Sequence, residues 1–140
     1  MTNQYAKSCI RVYNNASQAF TAALTPLNIE GTPVVESGCS LHLNTANIRV
    51  NKSGLYHLSA DVTYTATAAG TVVVQLYKDG VALPCAISQQ TVTANGVYTA
   101  HVETDLCLNT CCVNHPLITL GISGVAGTVS HTCVGAVKLA

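Results

Sequence analysis

The sequence predicts an all-β fold, an antiparallel two-sheet jelly-roll sandwich of about eight to ten strands. Apolar and polar side chains alternate through most of the chain, and in the clearest stretch apolar residues occupy every second position from Tyr56 to Tyr64. This period of two is that of a strand with one buried face. Turn residues separate nearly all such stretches, and none has a convincing helical period. Many short antiparallel strands in one chain favour a sandwich or barrel.

The first strands are predicted in the stretches SCIRVYNN and GCSLHLNTANIRV. Ile10 and Val12 share one face of the former, and Leu41 and Leu43 share one face of the latter. The segment ASQAFTAAL between them is the best helical candidate, but it is short and runs into a Thr-Pro pair. We expect it to form one helical turn at most.

Two strand-turn-strand stretches, NIRVNKSGLYHLSADVTYTA and GTVVVQLYKDGVALP, fill the middle of the chain. In the second, Val72, Val74 and Leu76 share a face. The dipeptide Asp79-Gly80 is expected to turn the chain with the glycine at positive φ. The remaining strands are predicted in GVYTAHVETDLCL, PLITLGISG and GTVSHTCVGAVKLA. Further turns are expected at Asn14-Asn15, Gly31-Thr32-Pro33, Asn95-Gly96, Asn114-His115-Pro116 and 124–127.

The terminal stretch is apolar on both of its predicted faces. One face carries Val129, Cys133, Val137 and Leu139, and the other carries Thr132, Val134 and Ala136. Such a strand must be covered twice, so we expect the facing sheet on one side and another subunit on the other.

Composition points to one domain and to association. The chain has 140 residues and a mass of 14.5 kDa, which favours a single domain over 1–140 with a short N-terminal arm at about 1–7. Only 9% of its residues are charged, where about 25% is usual. The formal net charge is zero. A monomer with so few charges would expose an unusually apolar surface, so we expect an obligate oligomer.

The sequence also argues against two kinds of partner, nucleic acid and the membrane interior. The six Lys and Arg residues are scattered and form no basic patch, which argues against nucleic acid. No run of 18 apolar residues and no secretion signal occur in the sequence, which argues against a membrane span and predicts synthesis and folding in the cytosol.

Two motifs resemble a known family. Gly54-Leu55-Tyr56 and the alternating strand that follows are similar to the hallmark segment of C1q and tumour-necrosis-factor-like jelly rolls. The segment VQLYKDGVALPCA resembles the strand-turn-strand of bacterial and bacteriophage members, such as the C-terminal domains of spore-surface collagen-like proteins and phage head-fibre or capsid-decoration proteins. The resemblance covers roughly 39–139. It implies a ten-stranded jelly roll that forms a tight homotrimer, with the terminal strand in the middle of the inner sheet.

The faces that residues share on the predicted strands, together with the three-fold symmetry that the resemblance implies, indicate which residues face the trimer axis. The inner sheet is expected to contain the strands around 8–13, 55–65, 97–106 and 128–139. The expected interface residues are His57, Asp61, Val129, His131, Cys133, Val134 and Ala136.

The seven cysteines are an odd number and cannot all pair within one chain. A reducing cytosol favours free, buried thiols, and disulfides formed after lysis, including intermolecular ones, are the alternative. A third alternative is a zinc site at Cys107, Cys111, Cys112 and His115, whose spacing a metal can use. Adjacent Cys111 and Cys112 point to opposite faces of an extended segment, so we expect neither metal nor cofactor.

No catalytic motif stands out. Gly121-Ile122-Ser123-Gly124 lacks the spacing of a nucleophile elbow. His101, Glu103 and Asp105 share a strand face and have the chemistry of a cation site or an acid–base row, but the solvated face of an outer strand is the simpler interpretation. We therefore expect no enzyme.

Two functions remain. The first is a structural virion protein made in the host cytoplasm, a trimeric capsid-decoration or head-fibre subunit that docks on a major capsid or other virion protein. The absence of a collagen repeat or stalk before the domain favours a small docking trimer over a long fibre. The alternative is a trimeric carbohydrate- or cell-surface-receptor-binding module of a phage fibre or a bacterial or spore surface. The chain has no Trp and one Phe to stack on sugar rings, which weakens this alternative.

Overall fold

The computed structural model describes residues 8–110 and 114–140, and the expected N-terminal arm lies outside them. This part of the chain contains twelve strands and no helix. The strands are β1 (Cys9–Asn14), β2 (Gln18–Phe20), β3 (Thr25–Pro26), β4 (Thr32–Ser37), β5 (Leu41–Leu43), β6 (Ile48–Val50), β7 (Gly54–Ala66), β8 (Gly70–Lys78), β9 (Val81–Val92), β10 (Val97–Leu108), β11 (Leu117–Ser123) and β12 (Gly127–Lys138).

The strands form two antiparallel sheets, which confirms the predicted jelly-roll sandwich. Sheet A has the order β10-β7-β12-β1-β4, with β2 paired to β12. Sheet B has the order β5-β6-β11-β8-β9, with β3 paired to β11. All four strands expected in the inner sheet belong to sheet A, and the terminal strand β12 lies in its middle.

The core lies between the sheets and follows the predicted alternation. Every apolar residue at alternate positions from Tyr56 to Tyr64 on β7 is at most 1% exposed. Val72, Val74 and Leu76 of β8 are equally buried from the side of sheet B. Burial of these strands stabilises the fold by removing apolar area from water.

The turn between β8 and β9 has the predicted conformation. Asp79 has φ of 50° and Gly80 has φ of 80°, so both central residues are left-handed. Two residues at positive φ match the right-handed twist of the flanking strands, and the turn therefore joins β8 and β9 directly as a hairpin.

The segment ASQAFTAAL contains no helical turn, in line with its weak helical pattern, and its Gln18–Phe20 segment forms β2 by pairing with the end of β12. One expectation about local structure is wrong. The turn expected at Gly31-Thr32-Pro33 gives way at Thr32 to β4, which pairs only with β1 at the edge of sheet A. An edge strand tolerates Pro33, which lacks the N–H group that a central strand needs.

The predicted faces of β12 are also partly wrong. The register between β12 and β7 shifts at a bulge between Val129 and His131, so the alternation changes phase there. Val129, Thr132, Val134 and Ala136 all face the core and are at most 2% exposed. Cys133 and Val137 remain on the other face.

No helix in the described residues is long and apolar enough to cross a membrane.

Candidate functional site

The face of sheet A that points away from sheet B is the candidate functional surface, here called the A face. Its side chains alternate with the buried residues of β7 and β10, because successive side chains of a strand point to opposite faces. The registers of sheet A align the outward positions across four strands. The A face consists of His101, Glu103 and Asp105 on β10; His57, Ser59, Asp61 and Thr63 on β7; His131, Cys133, Gly135 and Val137 on β12; and Cys9, Arg11 and Tyr13 on β1.

Five ionisable side chains of β7 and β10 form a continuous row, the His–acid ladder: Asp105, His57, Glu103, His101 and Asp61. Nδ1 of His57 lies 2.5 Å from Oδ1 of Asp105, and Nε2 of the same ring lies 3.5 Å from Oε2 of Glu103. Nδ1 of His101 lies 2.6 Å from Oδ1 of Asp61, and its Nε2 lies 3.6 Å from the same Glu103 oxygen. Acids and histidines therefore alternate along the whole row.

The strand register creates this ladder. His57 is directly opposite Asp105, and Asp61 is directly opposite His101. Residues opposite each other on one face of an antiparallel pair have Cβ atoms about 4.5–5.5 Å apart, so short acids and imidazoles meet without strain. Glu103 lies between the two pairs on β10, opposite the small Ser59, and its longer side chain contacts both rings.

The ladder favours the protonated form of at least one histidine. The hydrogen bond to Asp61 raises the pKa of His101 above its ordinary value, although partial burial opposes this, and the charges of Asp61 and Glu103 raise it further. His101 is about half exposed, so solvent screens these interactions.

Arg11 crosses the A face from β1 toward the ladder. Its Nη2 donates to Oγ of Ser59 at 2.7 Å, and its Nη1 lies 3.5 Å from Sγ of Cys133. The guanidinium passes directly over Gly135, where a Cβ atom would lie 2.5 Å from Nη2. The absence of a side chain at Gly135 therefore lets Arg11 lie flat across β12 and reach β7.

His131 has a different environment from the ladder histidines. Its Nδ1 lies 2.5 Å from Oδ1 of Asn15, a neutral amide, and its ring stacks on Tyr13 with centroids 6.4 Å apart. It lies on the A face opposite Thr63 of β7, next to the bulge of β12.

The expected interface residues divide into two groups. His57, Asp61, His131 and Cys133 lie on the A face. Val129, Val134 and Ala136 lie in the core of the single chain, so their assignment to an exposed interface is corrected: the bulge turns Val129 inward, and Val134 and Ala136 are covered by sheet B. His57 and Asp61, which share a strand face, bond to partners on β10 and not to each other. Sequence reasoning missed Arg11 and Gly135.

The cysteines differ from the expected buried thiols. Among the described residues Cys9, Cys39, Cys85, Cys107 and Cys133 are free, but none of them is buried. In the zinc alternative, Cys107 is exposed and His115 is half-buried, while Cys111 and Cys112 lie outside the described residues. Within 8–110 and 114–140, no group of three or more His, Cys, Asp or Glu side chains is arranged to hold a metal ion.

A second feature is a polar cleft of about 450 Å³ beside the β8–β9 turn. Nδ1 of His115 is buried there without a hydrogen-bond partner among the described residues. The lining residues are Lys78, Asp79, Asn109, Asn114, His115 and Pro116.

The sequence matches no protein-family model and no curated protein. The structure is similar to Eiger TNF from S. frugiperda, with a TM-score of 0.73 and 12% identity over 96% of this chain and 93% of that chain. It is similar to the globular domain of zebrafish complement 1qA protein, with a TM-score of 0.68 and 8% identity over 96% and 98% of the two chains. It is also similar to PRD1 vertex protein P5, with a TM-score of 0.69 and 16% identity over 95% of this chain and 73% of that chain. The fold is therefore a C1q/TNF-like jelly roll.

Proposed function

We propose that this chain is a structural virion protein, a homotrimeric subunit that docks on a capsid as a decoration or head-fibre protein. In the trimer the A faces of three chains lie toward the axis and are buried against neighbouring copies. The loops and sheet B then remain available for attachment to the virion.

The observation that carries this proposal is the character of the A face. Sheet B covers one side of sheet A, and the other side presents a surface on which each ladder acid already contacts a histidine ring. Val137 on the central strand β12 is 37% exposed there, beside His57. Acids that can pair with adjacent histidines, and exposed apolar groups, are cheaper to bury than charges without a partner, so this surface suits a protein interface. The low content of charged residues, 9%, agrees with burial of a large part of the surface.

The virion role is supported by one similarity of fold. PRD1 vertex protein P5 is named as a vertex protein and has the same jelly roll over 95% of this chain. The resemblance of the segment VQLYKDGVALPCA to phage head-fibre and decoration proteins points in the same direction.

A pair of matched substitutions tests the interface. Val137→Glu places a charge on the A face near the end of the central strand β12, opposite His57 of the His–acid ladder. We expect it to shift the protein from trimer to monomer while the circular dichroism spectrum stays that of a β protein. Val81→Glu is the control, because Val81 is 69% exposed at the start of β9 in sheet B. An equal effect of the two variants on assembly would place the interface elsewhere.

Immunogold electron microscopy tests the virion role. Antibodies against this chain are applied to virus particles purified from host cells that produce it. We expect gold particles on the capsid surface, at vertices or at regular surface positions. Label confined to cell debris, with bare particles, contradicts the virion role.

The polar cleft beside the β8–β9 turn supports a second candidate, a trimeric module that binds a carbohydrate or a cell-surface receptor. Lys78, Asp79, Asn109 and Asn114 offer donors and acceptors that suit sugar hydroxyl groups. A glycan array probed with the trimer tests this candidate. Binding that Asn109→Ala abolishes supports it, and an array without any bound glycan argues for the structural role alone.

A further inference from the structure

We infer that assembly through the A face takes up protons at the His–acid ladder, so that the trimer is tighter in acidic than in alkaline solution. The inference rests on the proposed trimer and names the occupant of the A face as a second copy of this chain.

The hydrogen-bond geometry of the two histidines indicates that Nε2 of each ring takes up the proton. Each Nδ1 is held by an aspartate, His57 by Asp105 and His101 by Asp61, at 2.5 and 2.6 Å. A neutral imidazole that donates through Nδ1 carries a lone pair at Nε2. Both Nε2 atoms point toward one oxygen of Glu103, at 3.5 and 3.6 Å. A lone pair facing a carboxylate is repelled, whereas an imidazolium satisfies an acid at each end.

The charge balance of the A face leads to the same conclusion. Asp61, Glu103 and Asp105 contribute three negative charges, and the nearest fixed positive charge is that of Arg11, which reaches Ser59 opposite Glu103. With neutral histidines the group carries two net negative charges. With His57 and His101 both protonated it is neutral. Burial of uncompensated charge is costly, so the assembled state favours the doubly protonated ladder.

The other titratable groups of the A face do not supply this compensation. His131 on β12 contacts the amide of Asn15, and Tyr13 on β1 stacks on its ring. Cys133, also on β12, lies against Arg11. Cys9 lies at the end of β1 away from Tyr13. Among the described residues, no lysine or arginine side chain forms an ion pair with the ladder acids.

The sign of the pH dependence follows from linkage. A state that binds protons more tightly is favoured as pH falls, and the effect is lost as pH rises through the histidine range above about 6.5. If the trimer takes up as few as two protons over one pH unit, its association constant changes about 100-fold. The concentration at the midpoint of trimer dissociation then changes about tenfold, because that concentration varies as the inverse square root of the constant.

Sedimentation equilibrium of the full chain at about pH 6 and about pH 8.5, each with and without EDTA, measures this midpoint. We expect the midpoint concentration to rise at least about tenfold at the higher pH. The double variant His57→Asn, His101→Asn keeps an N–H donor for each aspartate and is expected to lose most of the pH dependence. His42→Asn on β5 of sheet B is the matched control and is expected to keep it.

The outcomes separate the inference from the proposed function. A trimer with equal midpoints at both pH values, or a tighter trimer at pH 8.5, overturns the inference and leaves the trimer intact. A trimer that EDTA dissociates at pH 6 also overturns it, because a metal ion and not protons would then neutralise the ladder. A monomer at every pH and concentration overturns the proposed function itself.

Discussion

The phenolic oxygen of Tyr64 lies 2.6 Å from Oε1 of Gln90, so a buried side chain of sheet A donates a hydrogen bond to the edge strand of sheet B. Nε2 of the same amide donates to the backbone oxygen of Thr99 on β10 at 3.1 Å. Gln90 therefore joins β9 and β10, the edge strands of the two sheets. Burial raises the pKa of Tyr64 to about 12, and the neighbouring Tyr98 phenol adds to this, so the hydroxyl keeps its proton as a donor.

Removing this donor is expected to destabilise the sandwich. Tyr64→Phe deletes the hydrogen bond to Gln90 without changing the ring, and we expect a loss of about 1–2 kcal/mol in the free energy of unfolding. Urea denaturation at neutral pH measures it. The matched control is Tyr77→Phe, a half-buried tyrosine on sheet B, for which we expect a loss below about 0.5 kcal/mol. Equal losses in the two variants would show that the edge contact contributes nothing.

The turn between β8 and β9 is expected to reject a β-branched residue. Gly80 has φ of 80°, and a Cβ atom there meets nothing within 4 Å, so any cost comes from the backbone conformation and not from a clash. Gly80→Val should lower stability by about 1 kcal/mol or more. Gly80→Asn, which tolerates this conformation, should lose less. Thermal melts in which the valine variant matches the parent would rule out the left-handed turn.

The contact between Gly135 and Arg11 is expected to appear as energetic coupling. A methyl group at Gly135 would lie 2.5 Å from Nη2, so Gly135→Ala must displace the guanidinium from Ser59. In an Arg11→Ala background the same change meets no guanidinium and should cost little. A double-mutant cycle on unfolding free energy is expected to give a coupling of about 1 kcal/mol. Additive effects would mean that the guanidinium does not lie over Gly135 in solution.

The Asp61–His101 contact is expected to set the titration of His101. The pKa of His101 is raised from 6.5, chiefly by the hydrogen bond to Asp61, so the contact stabilises the folded state below pH 6.5 and this stabilisation disappears as pH rises through the raised value. In NMR titrations, Asp61→Asn should lower the midpoint of His101 toward 6.5. An unchanged His101 midpoint would contradict the ladder geometry.

The alternation of β7 was sufficient to predict a buried strand, because each apolar residue from Tyr56 to Tyr64 falls on one face. The turn at Asp79-Gly80 was also predictable, because few residue pairs adopt two left-handed conformations. β4 was not predictable in this way. It lies at the edge of sheet A and is exposed along almost its whole length, so no alternation marks it.

The candidate site was only partly predictable. His57 and Asp61 were assigned to the interface from the face they share, but their partners lie more than 35 residues away on β10 and depend on a register that a single strand does not reveal. The bulge next to Val129 is not visible in the sequence pattern. Val129 was therefore assigned to the wrong face of β12. No sequence pattern pointed to Arg11 and Gly135, because these residues are far apart in the sequence and meet only in the folded chain.

Sedimentation equilibrium of the unmodified chain at about pH 6 tests the central claim most directly. The proposed assembly through the A face predicts a single species of three copies of 14.5 kDa, about 43 kDa, at micromolar concentrations. A folded species of 14.5 kDa that persists at all concentrations would contradict the trimer and, with it, the interface and the proton uptake inferred from it.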